Sequence, residues 1–558
     1  MIPSVNIVRE DNQLGVVPPS DSDRMAVIAC AKTGTTDAYL AARPEDIVTD
    51  HQAGPLVHAT CYEINKTGIP VLVVRAATAT PGAYGTVDNS GITGACHAVA
   101  SSTSLPEDDC EAYVVIVTGG TVGTAGITFQ SSLTDGRDLS GVTALGTDTE
   151  IDLGSGVVLE LPESQTFTAN ATTDVFTFSG AGFPDGTPIR LVGDDLPSPL
   201  VAGTTYYTRD RVTNTSLLAA TSGGAAIELD DAGTGVMSTQ HTLVAGDVIR
   251  CRTSAPQMDA TGLDAALVKV RESSFPVDIV QVYARMTSAL AATIASAKTA
   301  FAEAGREALF VTNFRMRNEG ESRATYLAAY ATEFSGVADN DLVVGFEQAE
   351  IQSPVDQRRY MRPIAVDVAA ALVAVNPGRD VAFKGLGSRS GVVITDARGN
   401  PKHHNEYVFP GADELRATTL RTWPQDGTQV FITNPRVMSA SGSDYQFAQH
   451  ARVSHKVCKI VRRVLEGRSS ADLLVSEQTG YILDTEANDI EAEVNAALRD
   501  EVTARRNATQ VLFRMNRTDN LLSTFTLQGS ARIIPLAYAK RFNVTVGFFN
   551  PALRATAV

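Results

Sequence analysis

The sequence is short of the residues from which most catalytic and metal sites are built. It holds eight histidines, and they form no identifiable catalytic set. His403 and His404 sit in a polar run, Gly399-Asn400-Pro401-Lys402-His403-His404-Asn405, that reads as a solvated turn in preference to a metal site. Cys96 and His97 are adjacent, and consecutive side chains do not face each other on a helix. Neither G-x-S-x-G nor H-E-x-x-H occurs. The glycines at 119, 120, 123 and 126, and Gly385-Leu386-Gly387 with Gly391, miss the dinucleotide spacing, while 31–36 lacks the spacing of a phosphate loop. Glu107, Asp108 and Asp109 read as an acidic loop better than as paired catalytic groups. No catalytic residue, metal or cofactor is nominated, and the chain is read as a non-enzyme. A hydrolase would need a pocket of convergent titratable groups, which the sequence does not display.

Long apolar runs are also missing, so no segment approaches a membrane span, and Met1-Ile2-Pro3-Ser4-Val5 lacks the basic and apolar regions of a signal peptide. The expectation is a chain made in the cytoplasm, with no stable membrane association. Basic charge is scarce: 46 Lys+Arg stand against 63 Asp+Glu, a net −17. It is unevenly spread, with 15 Lys+Arg against 11 Asp+Glu over 445–558, leaving −21 for 1–444. Phosphate contacts need a basic face, so direct nucleic-acid binding through the acidic bulk is disfavoured. The six cysteines, Cys30, Cys61, Cys96, Cys110, Cys251 and Cys458, show no C-x-x-C spacing. They are read first as small core residues kept reduced.

What is present is a long chain of ordinary globular composition, 558 residues with 44% hydrophobic and 20% charged, able to bury several cores. Residues 1–22 read as an arm, with Val5 and Ile7 on a strand-like run before Pro18-Pro19. An α/β segment follows at 23–111, with strands at 25–30 and 69–75 and a helix near 56–65. A β-domain is expected at 112–162 and 242–256. Between its halves, 163–241 is Thr-rich and dense in turns, with 3 Lys+Arg against 9 Asp+Glu. It reads as an inserted small all-β module on an exposed surface. From 257 to 440 strands and helices alternate: strands at 277–283, 308–312 and 342–346, helices at 287–303, 322–334 and 361–375. This implies a largely parallel sheet with covering helices.

The last stretch, a domain at 441–540 and an arm at 541–558, organises the rest. Residues 445–466 lack Pro and Gly, with Asp444 placed as N-cap and Gly467 as stop. At 100° per residue Val453, Val457, Ile460, Val461 and Val464 share one stripe, and Arg452, Lys456, Lys459 and Arg463 another. The basic stripe is either a solvated face or a contact for an acidic protein. A second helix is expected at 490–505, then strand-like runs at 511–515, 532–536 and 543–549. The last alternates, with Val544, Val546 and Phe548 on one face. Burying those three gains roughly 5 to 9 kcal/mol, against roughly 7 to 14 kcal/mol to fix seven backbone residues. Such an arm is marginal unless it completes a sheet.

The order of the helix at 447–465, the helix at 490–498 and the closing run Arg532-Ile533-Ile534-Pro535-Leu536-Ala537-Tyr538 to Val544-Thr545-Val546-Gly547-Phe548 resembles the contractile-tail sheath family. The resemblance implies an α/β and β multidomain sheath core with inserted all-β modules and extended terminal arms. It implies a structural subunit in a virion tail, assembled in the host cytoplasm. Such subunits stack as hexameric discs around a tail tube protein, exchange strands through terminal arms (Val5, Ile7, Val544, Val546, Phe548) and contract to drive the tube through the host envelope. Baseplate and tail terminator proteins would be further partners, and Arg452, Lys456, Lys459 and Arg463 would face the tube. On this reading some of the six cysteines could oxidise between subunits once the particle leaves the cell. The alternative is a tail-associated receptor-binding or adhesin protein that uses the inserted module.

Overall fold

The computed structural model describes residues 24–318, 320–395, 402–403, 411–469 and 471–548. The chain forms two units, Met1–Asn376 with Val381–Ala451, and Pro377–Asp380 with Arg452–Val558. It is a mixed α/β protein with many sheets and fewer helices. No helix among the described residues is long and apolar enough to cross a membrane.

The first unit is centred on a six-stranded sheet. Met25–Ala29 lies in the middle, pairing in parallel with Val71–Arg75 on one side and Ile279–Arg285 on the other. Leu309–Asn313 and Leu342–Gly345 extend it in parallel, and Tyr39–Ala41 closes the opposite edge antiparallel. The two α/β stretches expected as separate bodies therefore share one sheet, with Met25 beside Ile279. Apolar runs explain why: a strand buried on both faces needs neighbours on both edges, and 250 residues of intervening sequence cost little loop entropy.

The pleat divides the core in two. Met25, Val27 and Ala29 face one apolar cluster with Leu56, Tyr62 and Val368, from the helices Pro55–Thr67 and Ala365–Val373. Ala26 and Ile28 face the other, with Leu267, Ile294, Phe301 and Tyr330, from Ala260–Glu272, Ser288–Glu303 and Arg323–Phe334. Three of these helices start where side chains cap them: Asp259 accepts from Gly262 N, Thr287 from Leu290 N, and Ser322 from Thr325 N. One expectation needs correction. Residues 361–375 are not one helix, because Arg359–Pro363 is a strand paired with Gln348–Gln352, and the helix begins only at Ala365.

A β layer follows in the same unit. Ala83–Gly91, Val248–Ser254, Glu111–Thr118, Thr128–Ser132 and Thr143–Ala144 form one antiparallel sheet around Val114, Ile116, Leu159 and Ile249. It starts at Ala83, inside the stretch read as α/β. Within 163–241, six strands from Thr166–Asn170 to Thr234–Gln240 close into a barrel around Phe167, Phe176, Phe178 and Leu218. Full closure leaves that barrel no edge to pair. Its ends return to the β layer, where Leu161 N donates to Thr149 O and Val122 N donates to His241 O.

The acidic loop expected at 107–109 is the second correction. Asp108 is 1% exposed and receives both arms of Arg362, Nη1 to Oδ1 at 3.0 Å and Nη2 to Oδ2 at 2.6 Å. Arg362 Nη1 also donates to Asp109 O at 2.7 Å, and His58 Nε2 lies 2.8 Å from Asp108 Oδ2. The pair ties the start of the Glu111–Thr118 strand to the Arg359–Pro363 strand, and through His58 to the Pro55–Thr67 helix. Burial alone would raise the Asp108 carboxyl, but Arg362 and His58 outweigh it and hold it at about 2, below the ordinary 3.8.

Two outcomes are expected. Arg362→Leu strands the Asp108 charge and should cost about 3 to 5 kcal/mol in urea unfolding. Because the folded carboxyl titrates below its unfolded value, its contribution is complete above pH 3.8 and is lost as pH falls through about 2. An acid titration followed by tryptophan fluorescence should therefore lose roughly 2 kcal/mol over that window; a profile flat between pH 4 and 2 contradicts the assignment.

Candidate assembly surface

The second unit is built by the Ala448–Glu466 helix from Arg452 onward, the Asp484–Leu498 helix and a hairpin of Gln510–Met515 with Gly529–Ile534. The first helix starts three residues later than its sequence suggests. Val437 N donates to Gln446 O, and Phe447 bridges Arg436, so the chain stays extended up to Phe447. The second starts at Asp484, earlier than expected, with Asp484 and Glu486 in its first turn, and passes into a π-helical turn at Arg499–Thr503.

Val453, Val457 and Ile460 from the first helix meet Ile490, Val494 and Leu498 from the second, over Val511, Phe513 and Met515 of the hairpin. The valine stripe is thus the inner face. Packing turns part of the basic stripe inward. Arg452 is 3% exposed and lies close enough to Tyr538 to influence its hydroxyl. Lys456 is half-buried; burial lowers its ammonium to about 8, Arg505 pushes the same way, and Glu501 opposes. Lys459 is half-buried, and Arg463 is exposed and paired with Glu501.

The hairpin has two unlike edges. On Gln510–Met515, Asn495 accepts from Phe513 N at 2.8 Å and donates to Phe513 O at 3.0 Å, while Met515 N donates to Glu491 Oε1 at 2.7 Å. Helix side chains thereby occupy main-chain groups that a further strand would use. Gly529–Ile534 pairs on one side with Gln510–Met515, and with no other strand among the described residues. Nothing in the sequence marked Asn495 and Glu491 for this task, since each is one polar position in an amphipathic helix.

Beyond the hairpin, Tyr538 donates to Gly378 O at 2.5 Å and Lys540 pairs with Asp380. These contacts pin the chain to the Pro377–Asp380 segment of the same unit. After Lys540 the grip ends. Residues 541–548 form no strand, in contrast to the run expected at 543–549, and Phe542, Val544, Val546 and Phe548 are 79% or more exposed. Val5 and Ile7 lie outside the described residues. Cys30, Cys61, Cys96, Cys110 and Cys251 are buried free thiols, where no neighbouring chain can reach them without opening the core. That removes five of the six as inter-subunit disulfide candidates. Cys458 alone is exposed.

Leu498→Ala should open a cavity between the two helices and cost about 2 to 5 kcal/mol, read by denaturant unfolding of the full chain.

A family model described as DUF2586, N-terminal domain, matches residues 2–401. No curated protein matches. Among solved structures, the chain is similar to the sheath tail protein of Listeria innocua at 11% identity and TM-score 0.40, covering 93% of this chain and 96% of that one. It is similar to the sheath tail protein of Desulfitobacterium hafniense at 10% identity and TM-score 0.40, covering 96% and 100%. A third similarity is to the sheath complex of the PVC extracellular contractile injection system in its contracted state, at 11% identity and TM-score 0.38, covering 55% and 78%.

Proposed function

The chain belongs to the DUF2586 family, and from that premise we propose that it is a structural subunit of a contractile tail sheath. The observation that carries this reading is the C-terminal arm. Four large apolar side chains, Phe542, Val544, Val546 and Phe548, alternate along an extended segment and stand in solvent. The same unit holds a strand, Gly529–Ile534, with one edge unpaired among the described residues. Apolar alternation on an unpaired segment and an unpaired edge on the same chain are complementary between copies. One copy's arm adds a strand to its neighbour, and repetition makes a polymer. Burial of Val544, Val546 and Phe548 then contributes roughly 5 to 9 kcal/mol per contact.

In this reading copies stack as hexameric discs around a tail tube, with the baseplate at one end and a terminator at the other. The N-terminal arm, with Val5 and Ile7, serves a second neighbour. Contraction is a change of packing between copies that stay linked through their arms. Lys459, half-buried, and Arg463, exposed and paired with Glu501, are the least covered parts of the basic stripe and would meet an acidic tube, a surface contact being worth roughly 0 to 1 kcal/mol. The barrel decorates the outside as an acidic, solvated body. An adhesin role for the barrel is the second reading, favoured by its own closed core and by both its ends meeting one layer.

Electron microscopy tests the assembly. The full-length chain, with its native particle, should form long striated tubes that disappear when residues 1–19 and 543–558 are removed. Absence of the chain from the tail cylinder of the native particle would transfer the assignment to the adhesin reading. Lys459→Glu combined with Arg463→Glu should weaken tube attachment in co-sedimentation while the chain still folds. Deletion of residues 163–241 should leave tubes intact; loss of host attachment alone would favour the adhesin reading.

A further inference from the structure

The cleft of about 310 Å³ between the β layer and the six-stranded sheet is the least expected feature of so acidic a chain. It lies off the carboxyl ends of parallel strands: Arg285 is the last residue of Ile279–Arg285, and Arg315 follows Leu309–Asn313 by two. Open parallel sheets place ligand crevices at such ends. Four guanidinium groups line it, Arg252 from the β layer and Arg285, Arg315 and Arg317 from the sheet side, against two carboxylates, Asp109 and Glu111.

Three of the four have partners that hold them in place. Arg252 Nη2 meets Glu111 Oε1 at 2.7 Å and Nη1 meets Arg317 O at 3.2 Å. Arg285 Nη2 meets Asp109 Oδ1 at 3.0 Å, while its Nε is buried without an acceptor. Arg315 is gripped in bidentate fashion by Glu321, at 2.8 and 2.6 Å. Arg317 is exposed, and its backbone N–H is held by Gln348 at 3.2 Å. Each guanidinium offers five N–H donors in a planar fork, so the carboxylates present leave most donors free and positive charge in surplus. One of the cations comes from the β layer's strand and three from the ends of the sheet's strands, and their mutual repulsion is relieved by an anion placed between them.

We propose that this cleft binds a small phosphoryl-bearing anion, held by the remaining N–H donors of Arg252, Arg285 and Arg315 and neutralised by Arg317. Planar, bidentate donors suit the oxygens of a phosphoryl group, and the volume admits a diphosphate. Bound there, the anion cross-links the β layer to the sheet and fixes their relative placement. The site is independent of the assembly reading, since it involves neither arm nor the second unit.

Inorganic pyrophosphate is the probe, added to the full-length chain at constant ionic strength. Titration calorimetry should show one site per chain, and pyrophosphate should raise the melting temperature where sodium chloride does not. Arg317→Ser should weaken binding about tenfold or more, the loss expected for one charge-assisted contact, with unliganded melting unchanged because the side chain is exposed. Arg252→Lys, which keeps charge and loses the fork, should weaken it too. No heat at millimolar pyrophosphate, or affinity unmoved in both variants, overturns the proposal. Tighter binding of a hexaglutamate peptide than of pyrophosphate also overturns it, and reassigns the cleft to an acidic protein segment.

Discussion

The first unit depends on one buried charge meeting another. Arg362 sits 4% exposed between the β layer and the sheet, with both its arms on Asp108. A lone guanidinium or carboxylate at that depth costs several kcal/mol, and the pair repays it only because its remaining hydrogen bonds are filled as well. Asp109 O takes the third contact, Arg362 lies over the Tyr360 ring at 4.7 Å, and His58 reaches the far oxygen of Asp108. Such a pair fixes position more than it adds stability. An apolar contact tolerates sliding, whereas a bidentate fork has one geometry. The layers on either side are thus held in one register, and the arginine cleft beside them inherits its shape from that constraint.

A second buried network works in the same way, reached from the same Pro55–Thr67 helix. Asp367, on the Ala365–Val373 helix, accepts from Tyr62 Oη of the Pro55–Thr67 helix at 2.6 Å and from Arg389 of a loop at 2.7 and 2.8 Å. Glu63 lies in the same interior; burial raises its carboxyl well above the ordinary range, Asp367 adds to that, and Arg389 opposes it. Burial and the neighbouring Asp367 thus both push Glu63 toward its neutral form, in the direction that like charges at short range require.

Periodicity made the sheet legible. Runs such as Met25-Ala26-Val27-Ile28 and Leu342-Val343-Val344 announced strands buried on both faces, and Thr287 and Ser322 marked the starts of their helices. Connectivity was not legible, because apolar strands carry no label for their neighbours, and Met25 meets Ile279 across 250 residues. Buried charge was illegible for a related reason. Glu107-Asp108-Asp109 has the composition of a solvated loop, and only the distant Arg362, itself inside a stretch with helical periodicity, makes it a core element. In the Ala448–Glu466 helix, angle alone does not say how wide the covered face is. Arg452 and Lys456 flank the valines closely enough to be drawn under them, and Arg463, two turns on, escapes.

The C-terminal end follows from where the second unit stops holding its own chain. The hairpin edge along Gln510–Met515 is closed from within by Asn495 and Glu491, and the exit strand is pinned at Tyr538 and Lys540. Past Lys540, residues 541–548 form no strand and are exposed. Ordering a strand costs about as much as its own apolar face returns, so an arm folded back alone gains nothing. Main-chain pairing with an already ordered edge changes that balance, since the partner's backbone is fixed beforehand and only one strand must be ordered. Gly529–Ile534 is such an edge, and its inner side is already committed to Gln510–Met515. In the proposed sheath reading, assembly between copies would satisfy the arm's apolar face and the open edge together.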